Sequence, residues 1–475
     1  MCFSVFFLVL PACRQTGALF VRGANSALNS YNLEKRVTTS FDFFNYLDNE
    51  LYCEDVKVKE IVEKVGTPAY IYSKNSILEH FIEIRNAFEE VEPLICFSVK
   101  SNSNLSICKV LADAGSGFDV VSGGEMFRIL ELGVSPDKIV FAGVGKTSEE
   151  IKYALENDIF MFNVESPSEL ANIDRIAGGL NKTGRVALRI NPDIDAKTHD
   201  KTTTGKKENK FGIDFDSAGQ LIKDIDNYKN IDLKGLHVHL GSPIYSPEPY
   251  VQALEKVYKF LQESLSDNER ERIEYINIGG GYCISYTGEK VKKPHDFSAE
   301  IIPVIKKLGC KVIMEPGRFV VGNSGILVTG VTYVKIATWG KKFIICDAAM
   351  NDLARPSLYD AFHRAWPVNT DVLMSEIELP GADRSTNDRL ELVDIVGPVC
   401  ESSDILAKER WFPDVEEGSL IAFFSAGAYG FTMSSSYNTR PRTCEILVDC
   451  DSFSTIRRRE TYEDLIAGEK EFLNA

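Results

Sequence analysis

Between residues 90 and 320 one pattern recurs eight times: a short apolar run rich in β-branched residues, usually followed by a stretch of helical periodicity. The runs are LICFSV, GFDVV, KIVFAG, IFMFNV, RVALRI, GLHVHL, IEYINI and KVIMEP, and the helical stretches include LSICKVLADAG, GEMFRILELG, SEEIKYALEN and SPSELANIDRIA. Short β-branched runs bounded by turn residues read as buried strands, and spacing of 3.6 as helices. Strand and helix repeated eightfold predict an α/β fold in which a parallel (β/α)8 barrel of the TIM type closes on itself. An open doubly wound sheet is the alternative, but eight similar units without a G-x-G-x-x-G fingerprint at the first turn favour closure.

After Gly322 the pattern changes to alternating strands, GILVTGVTYVKIA, KFIICDAA, LELVDIVGP, SLIAFF and TCEILVD, which predict a C-terminal antiparallel β domain. A chain of 475 residues is long enough for both units. Residues 375–389, SEIELPGADRSTNDR, are polar and turn-rich and read as a mobile surface loop.

The residues capable of chemistry cluster at the ends of the apolar runs. Lys100 follows the run in ICFSVKSNSN. An ammonium at the end of a buried strand is desolvated, so its pKa is expected to fall and its amine to become nucleophilic, as a Schiff-base lysine requires. A lysine snorkelling out of a strand end is the plainer reading. Its companions argue against that: HVHLGS (237–242) offers an imidazole and a hydroxyl, INIGGG (276–281) offers glycines whose N–H groups can approach a phosphate, and MEPGR (314–318) offers a carboxylate, a turn and a guanidinium. Lys100, Asp119, His239, Ser242, Gly279, Gly280, Gly281, Glu315, Gly317 and Arg318 all fall just past the carboxyl end of a predicted strand, and those ends share one face of a barrel, where active sites are built.

These motifs, together with GFDVVSGGE (117–125), VFAGVGKT (140–147), ENKFGI (208–213), DAAMNDLARPSLYDAFH (347–363), VGPVCES (396–402) and GAYGFTMSSSYNTRPR (427–442), resemble those of the diaminopimelate decarboxylase family from about Phe41 to the C-terminus. That family belongs to the fold-type-III pyridoxal phosphate enzymes, with ornithine and arginine decarboxylases and, more distantly, alanine racemase. The resemblance implies an N-terminal extension (1–40), a segment (41–73) whose end, TPAYIYS, joins the β domain, a cofactor-binding barrel (74–322) and the C-terminal domain (323–475). It also implies that pyridoxal 5'-phosphate is the cofactor and that meso-2,6-diaminoheptanedioate is decarboxylated to L-lysine and carbon dioxide.

By the same resemblance Lys100 carries the cofactor, Glu315 protonates its ring nitrogen, His239 stacks on its face, and Ser242, Gly279 to Gly281, Gly317 and Tyr429 hold its phosphate, with Asp119 beside the lysine. Arg318, Arg355 and Tyr359 match residues that bind the distal carboxylate of the substrate, Glu401 the residue that meets its distal amine, and Cys400 the acid that protonates Cα. Cys400 and Glu401 come from the neighbouring subunit in this family, so the resemblance implies a homodimer with a shared active site. Pro243 stands where the family commonly has Gln, and FSVKSN replaces the commoner aromatic-Ala-Val-Lys-Ala-Asn. Other readings are a decarboxylase acting on ornithine, arginine or a carboxylated polyamine, a catalytically dead regulatory binder, and a metal-dependent barrel enzyme. The first would leave two arginines unpaired, and the second predicts loss of Lys100, Glu315 or Cys400, all of which are present.

A net charge of −16 argues against nucleic acid as a partner. Eleven scattered cysteines without CxxC pairs fit reduced thiols in the cytoplasm, and His237 and His239 lack a ligand cluster, so no metal site is expected. His237 reads as a core residue. Residues 1–33 contain no Asp or Glu, and the apolar run Phe3 to Leu10 is too short to span a bilayer. A secretory signal lacks its leading positive charge there, Leu10-Pro11-Ala12-Cys13 only faintly resembles a lipoprotein cleavage site, and an organellar transit peptide and an upstream start remain alternatives.

Overall fold

The computed structural model describes residues 36–37, 43–195, 210–372, 374 and 389–473. Most of the expected N-terminal extension, and the polar loop expected over residues 375–389 apart from Arg389, lie outside the described residues.

Each apolar run forms a strand: β1 (Leu94–Ser98), β2 (Gly117–Val120), β3 (Ile139–Phe141), β4 (Met161–Val164), β5 (Gly184–Arg189), β6 (Ile231–His237), β7 (Tyr275–Asn277) and β8 (Lys311–Met314). All eight pair in parallel, and β8 pairs with β1 to close the barrel. Helices cover the outside, and their starts are written into the turns. Ser73, Asn104, Ser122, Thr147, Ser166 and Asp214 each accept a hydrogen bond from a first-turn backbone N–H, a cap that contributes about 0.5–2 kcal/mol apiece.

Strand alternation sorts the barrel interior into layers. Cys96, Val140, Met161, Ala187 and Ile313 form a small apolar cluster of their own, separate from the large core between the strands and their helices. Two residues further along the same strands, and so on the same inward face, stand Ser98, Asn163, Arg189 and Glu315. Asp119, His237 and Asn277 join them, and every one of the seven is at most 5% exposed. An apolar plug is thus capped by a buried polar layer directly beneath the carboxyl-end face.

The second unit is the expected, mostly antiparallel β domain, a nine-stranded sheet whose main path runs through Gly325–Ile336, with two parallel pairings within it. Lys342–Cys346 pairs in parallel with Leu390–Val396, and Ala69–Ser73 pairs in parallel with Cys444–Asp449, while the other pairings are antiparallel. Both parallel pairs join strands distant in sequence, which local alternation cannot register. Strand Ala69–Ser73 sits centrally, between Gly325–Ile336 and Cys444–Asp449. The segment leading to it is more structured than a single strand: Arg36–Val37, Phe44–Leu47, Glu50–Cys53 and Val56–Lys57 form a small antiparallel sheet, and Val58–Val65 is a helix. The first of these strands falls inside the stretch expected to be an extension. Among the described residues no helix is long and apolar enough to cross a membrane.

Ile71, fully buried in the middle of strand Ala69–Ser73, joins the N-terminal segment to the C-terminal sheet. Ile71→Ala should lower the free energy of unfolding by about 2–5 kcal/mol, read from urea melts; a loss under about 0.5 kcal/mol would mean the strand adds little to the sheet.

Candidate active site

Among the described residues, Lys100 and Lys146 both follow barrel strands, and their surroundings separate them. Lys146 is almost wholly buried, and its Nζ donates to Gly143 O at 2.8 Å, Asn163 O at 2.7 Å and Glu169 Oε1 at 2.6 Å, so its three protons are all engaged. Lys100, in a short turn after β1, donates to Asp119 Oδ2 at 2.6 Å and keeps 35% of its side-chain surface open. It is the amine that can be reached.

The expected fall in its pKa is reversed. Burial does pull the ammonium down, but the carboxylate of Asp119, with Tyr429 and Glu315 beyond it, pulls harder in the other direction and holds the amine above the ordinary lysine value. A strand end alone favours the neutral amine; the carboxylate that β2 brings within 2.6 Å reverses the balance. Ser98 Oγ donates to Asp119 Oδ2 at 2.7 Å, which orients that carboxylate.

Glu315, past the end of β8, is the hub of the polar layer. Its Oε1 accepts from Asn163 Nδ2 at 2.8 Å and Asn277 Nδ2 at 2.6 Å, and its Oε2 lies 3.3 Å from His237 Nε2. Burial pushes its pKa up, but His237, Lys100 and Asn277 outweigh that and leave the carboxyl below the usual carboxylate range. His237 is therefore more than the plain core residue expected: it is buried, and it faces the carboxylate.

Beyond β6, His239 Nδ1 accepts from the N–H of Gly280 at 3.3 Å, and burial, with the charges of Arg189 and Lys100, pulls its pKa well below the ordinary value. The ring is neutral, with its proton on Nε2. In the glycine loop the Gly279 N–H donates to Asn277 Oδ1 at 2.9 Å, so two of the expected phosphate donors, Gly279 and Gly280, already have partners inside the protein. What the glycines supply is close approach: a Cβ on Gly280 would collide with the Glu315 carbonyl oxygen, and one on Gly317 would lie 2.9 Å from Ser98 Cβ.

A cavity of about 500 Å³ opens between this face and the β domain, lined by His239, Ser242, Pro243, Tyr286, Glu289, Arg318, Arg355, Tyr359 and Tyr429 among others. Tyr429 is held at φ 56°, in the left-handed region, by an N–H donated to Ser101 O at 2.8 Å. Such a backbone costs about 1–3 kcal/mol for a bulky residue and tends to persist at working sites. Arg318 donates to Ser242 Oγ at 3.0 Å and to Tyr286 Oη at 2.5 Å, and its guanidinium carbon lies 5.0 Å from the Tyr429 ring. Arg355 donates to His363 Nε2 at 2.9 Å and packs 5.1 Å from the Tyr286 ring. Burial raises the Tyr286 pKa, yet the two guanidiniums overcome that and bring it below the ordinary phenol value. Tyr286, His363, Asn163 and Asn277 were not singled out in the sequence. His363 and Asn277 stand within quoted motifs and Asn163 stands inside the apolar run IFMFNV, but a lone polar residue carries no mark of the partner it will meet.

Cys400 and Glu401 are not brought to this cavity within one chain. Both are exposed, and Glu401 accepts from Ser403 Oγ at 2.9 Å and from Tyr437 Oη.

The donor set suits pyridoxal phosphate: a reachable amine beside a carboxylate, a second carboxylate kept ionised, a neutral imidazole and a loop with no room for side chains. Asp119 Oδ1 is moreover buried without a hydrogen-bond partner among the described residues.

Because Glu315 has a folded pKa below its unfolded value, its contribution to stability is complete above about pH 4.3 and is lost as pH falls toward the folded value. The unfolding free energy of the wild type minus that of Glu315→Gln, from urea melts between about pH 7 and pH 3, should decline below about pH 4.3. A difference that stays flat across that range would contradict an ionised Glu315.

Residues 74–322 match the family described as pyridoxal-dependent decarboxylase, pyridoxal binding domain. The diaminopimelate decarboxylase of Aquifex aeolicus is 43% identical over 426 residues, covering 89% of this chain and 96% of that protein. Among solved structures, diaminopimelate decarboxylase from Helicobacter pylori complexed with L-lysine is 39% identical with a TM-score of 0.80, covering 87% of this chain and 100% of the other. That from M. jannaschii in co-complex with L-lysine is 34% identical with a TM-score of 0.81, covering 91% and 98%. A catalytic site on the carboxyl-end face of a closed barrel, and relatives of this length and identity, lead to one assignment: the chain belongs to the diaminopimelate decarboxylase family.

Proposed function

We propose that this enzyme decarboxylates meso-2,6-diaminoheptanedioate to L-lysine and carbon dioxide, and that one observation carries the choice of substrate. Arg318 and Arg355 are 7% and 8% exposed, line the same cavity, and among the described residues have no carboxylate within ion-pair distance. Buried cations without anions are costly, and a diacid relieves the cost on binding. A guanidinium can grip a carboxylate through two parallel hydrogen bonds. Tyr359 stands at the same wall. The L-lysine named with the two structural relatives agrees with lysine as the product.

Bound pyridoxal phosphate supplies the sink for the electron pair left on Cα when the bond to carbon dioxide breaks. The Lys100 amine is its covalent anchor, and Asp119 positions that amine. Glu315, ionised, keeps a proton at the ring nitrogen. His239, neutral, would pack against the ring face, where a cation would oppose the ring's positive charge. Ser242, Gly279, Gly280, Gly281, Gly317 and Tyr429 would enclose the phosphate end, with Arg318 bound to Ser242 and packed on the Tyr429 ring.

The acid that delivers a proton to Cα is Cys400 Sγ, and Glu401 meets the distal ammonium. Both are exposed in one chain and absent from its cavity wall, which supports their arrival from a second copy in a homodimer. An ornithine decarboxylase reading would put a lone ammonium where two guanidiniums stand.

The enzyme should turn over diaminoheptanedioate in preference to ornithine, and Arg355→Ala should raise the KM for the diacid by about 10–100-fold while changing pyridoxal phosphate affinity by less than about threefold. Preference for ornithine, or an unchanged KM, would reject the substrate assignment. Mixing a Lys100→Ala protein with a Cys400→Ala protein should regenerate part of the activity that each lacks; no recovery in a verified mixed dimer would place both residues on one subunit.

A further inference from the structure

Arg355 has a neighbour that the reaction itself does not use. His363 is fully buried, eight residues along the chain, and its two ring nitrogens have different partners: Nε2 is 2.9 Å from Arg355 Nη1, and Nδ1 is 3.0 Å from the carbonyl oxygen of Phe424. Both contacts are compatible with only one form of the ring. A guanidinium donates and cannot accept, so Nε2 must be the bare nitrogen, and a carbonyl oxygen accepts, so Nδ1 must carry the proton.

We infer that His363 is a positioning residue: a neutral acceptor, locked in one tautomer by Phe424, that turns the Arg355 guanidinium toward the far carboxylate of the substrate. This rests on Arg355 binding that carboxylate, as read above.

The chemistry of the alternatives explains why an imidazole suits the place. An aspartate or glutamate there would orient Arg355 but also neutralise it, competing with the substrate for the same charge. An apolar residue would leave the arm free to rotate, and Arg side chains carry about 2 kcal/mol of rotamer entropy. A neutral imidazole fixes one Nη without cancelling the charge, while the Tyr286 ring, 5.1 Å from the guanidinium carbon and edge-on to His363, closes the face. Burial and the nearby Arg355 charge, with Arg410 and Arg318 adding to it, push the His363 pKa down to about 3, in keeping with the acceptor role that its two hydrogen bonds assign to the ring near neutral pH. Phe424 lies in the β domain, continuing strand Leu420–Phe423, so the tautomer is set from the same domain that supplies Arg355, Tyr359 and Tyr429 to the cavity wall.

Two amides separate the two hydrogen bonds in the pyridoxal phosphate-loaded enzyme. His363→Gln can place an amide oxygen near the position of Nε2 and keep Arg355 oriented, whereas His363→Asn keeps a donor near Nδ1 for Phe424 but offers Arg355 nothing. The Asn variant should raise the KM for diaminoheptanedioate about tenfold with kcat within about threefold of wild type, and the Gln variant should stay within about threefold on both. His363→Leu, which removes both hydrogen bonds at similar volume, carries the Asn expectation should that variant not fold. Equal KM values for the Asn and Gln variants, or a fall in kcat at unchanged KM, would overturn the inference and leave His363 a structural residue. Arg355→Ala measured alongside distinguishes the failures: a raised KM there with no effect of either amide sinks only the role of His363, and an unchanged KM there sinks the reading of Arg355 itself.

Discussion

The site depends on a single constraint, the two-residue alternation of a strand applied to a closed barrel. Cys96, Met161, Ala187 and Ile313 fill the axis, so the residues two steps on must also face the axis. Those positions hold Ser98, Asn163, Arg189 and Glu315, and Asp119, His237 and Asn277 complete the layer. These groups are cut off from water, and the hydrogen bonds that converge on Glu315 and Asp119 hold the reactive groups in register, while Asp119 Oδ1 and Asn163 Oδ1 are buried without a hydrogen-bond partner among the described residues. Shifting one strand by one residue would replace a polar group in this layer with an apolar one from the outer face. The barrel's closure and the site's electrostatics are therefore one requirement.

Charge is arranged against the molecule's overall balance. The chain carries a net charge of −16, yet the cavity wall between barrel and sheet presents two buried guanidiniums whose partners are hydroxyls, an imidazole and aromatic faces. Stability would be better served by carboxylates beside them. Leaving them with neutral acceptors keeps their charge for a ligand, at a cost to the free protein that binding a diacid removes. The opposite arrangement holds at the amine, where Asp119 pairs with Lys100 and keeps it protonated until another group displaces the contact.

How legible this was depended on whether a feature is local. The eight apolar runs became the eight barrel strands because each is continuous and bounded by turn residues, and the capping residues Ser122, Thr147 and Ser166 stand where their helices start. Lys100, Glu315, Arg318 and Arg355 stood out through their motifs. What could not be read was which groups would meet: Asn163 and Asn277 are 114 positions apart in sequence, yet both hold the same oxygen of Glu315. The same limit explains the two parallel pairings in the second sheet, whose partners are far apart in the chain, while the raised pKa of Lys100 depends on how closely the Asp119 carboxylate meets the amine.

Lys100, more open than the almost wholly buried Lys146, is the amine placed to hold pyridoxal phosphate. Cofactor-free protein loaded with pyridoxal phosphate, reduced with borohydride, digested and mapped by mass spectrometry tests it directly. The pyridoxyl label should appear on the peptide containing Lys100, and Lys146, its protons all engaged, should stay unlabelled. Label on Lys146, or on neither lysine with the cofactor bound, would contradict it.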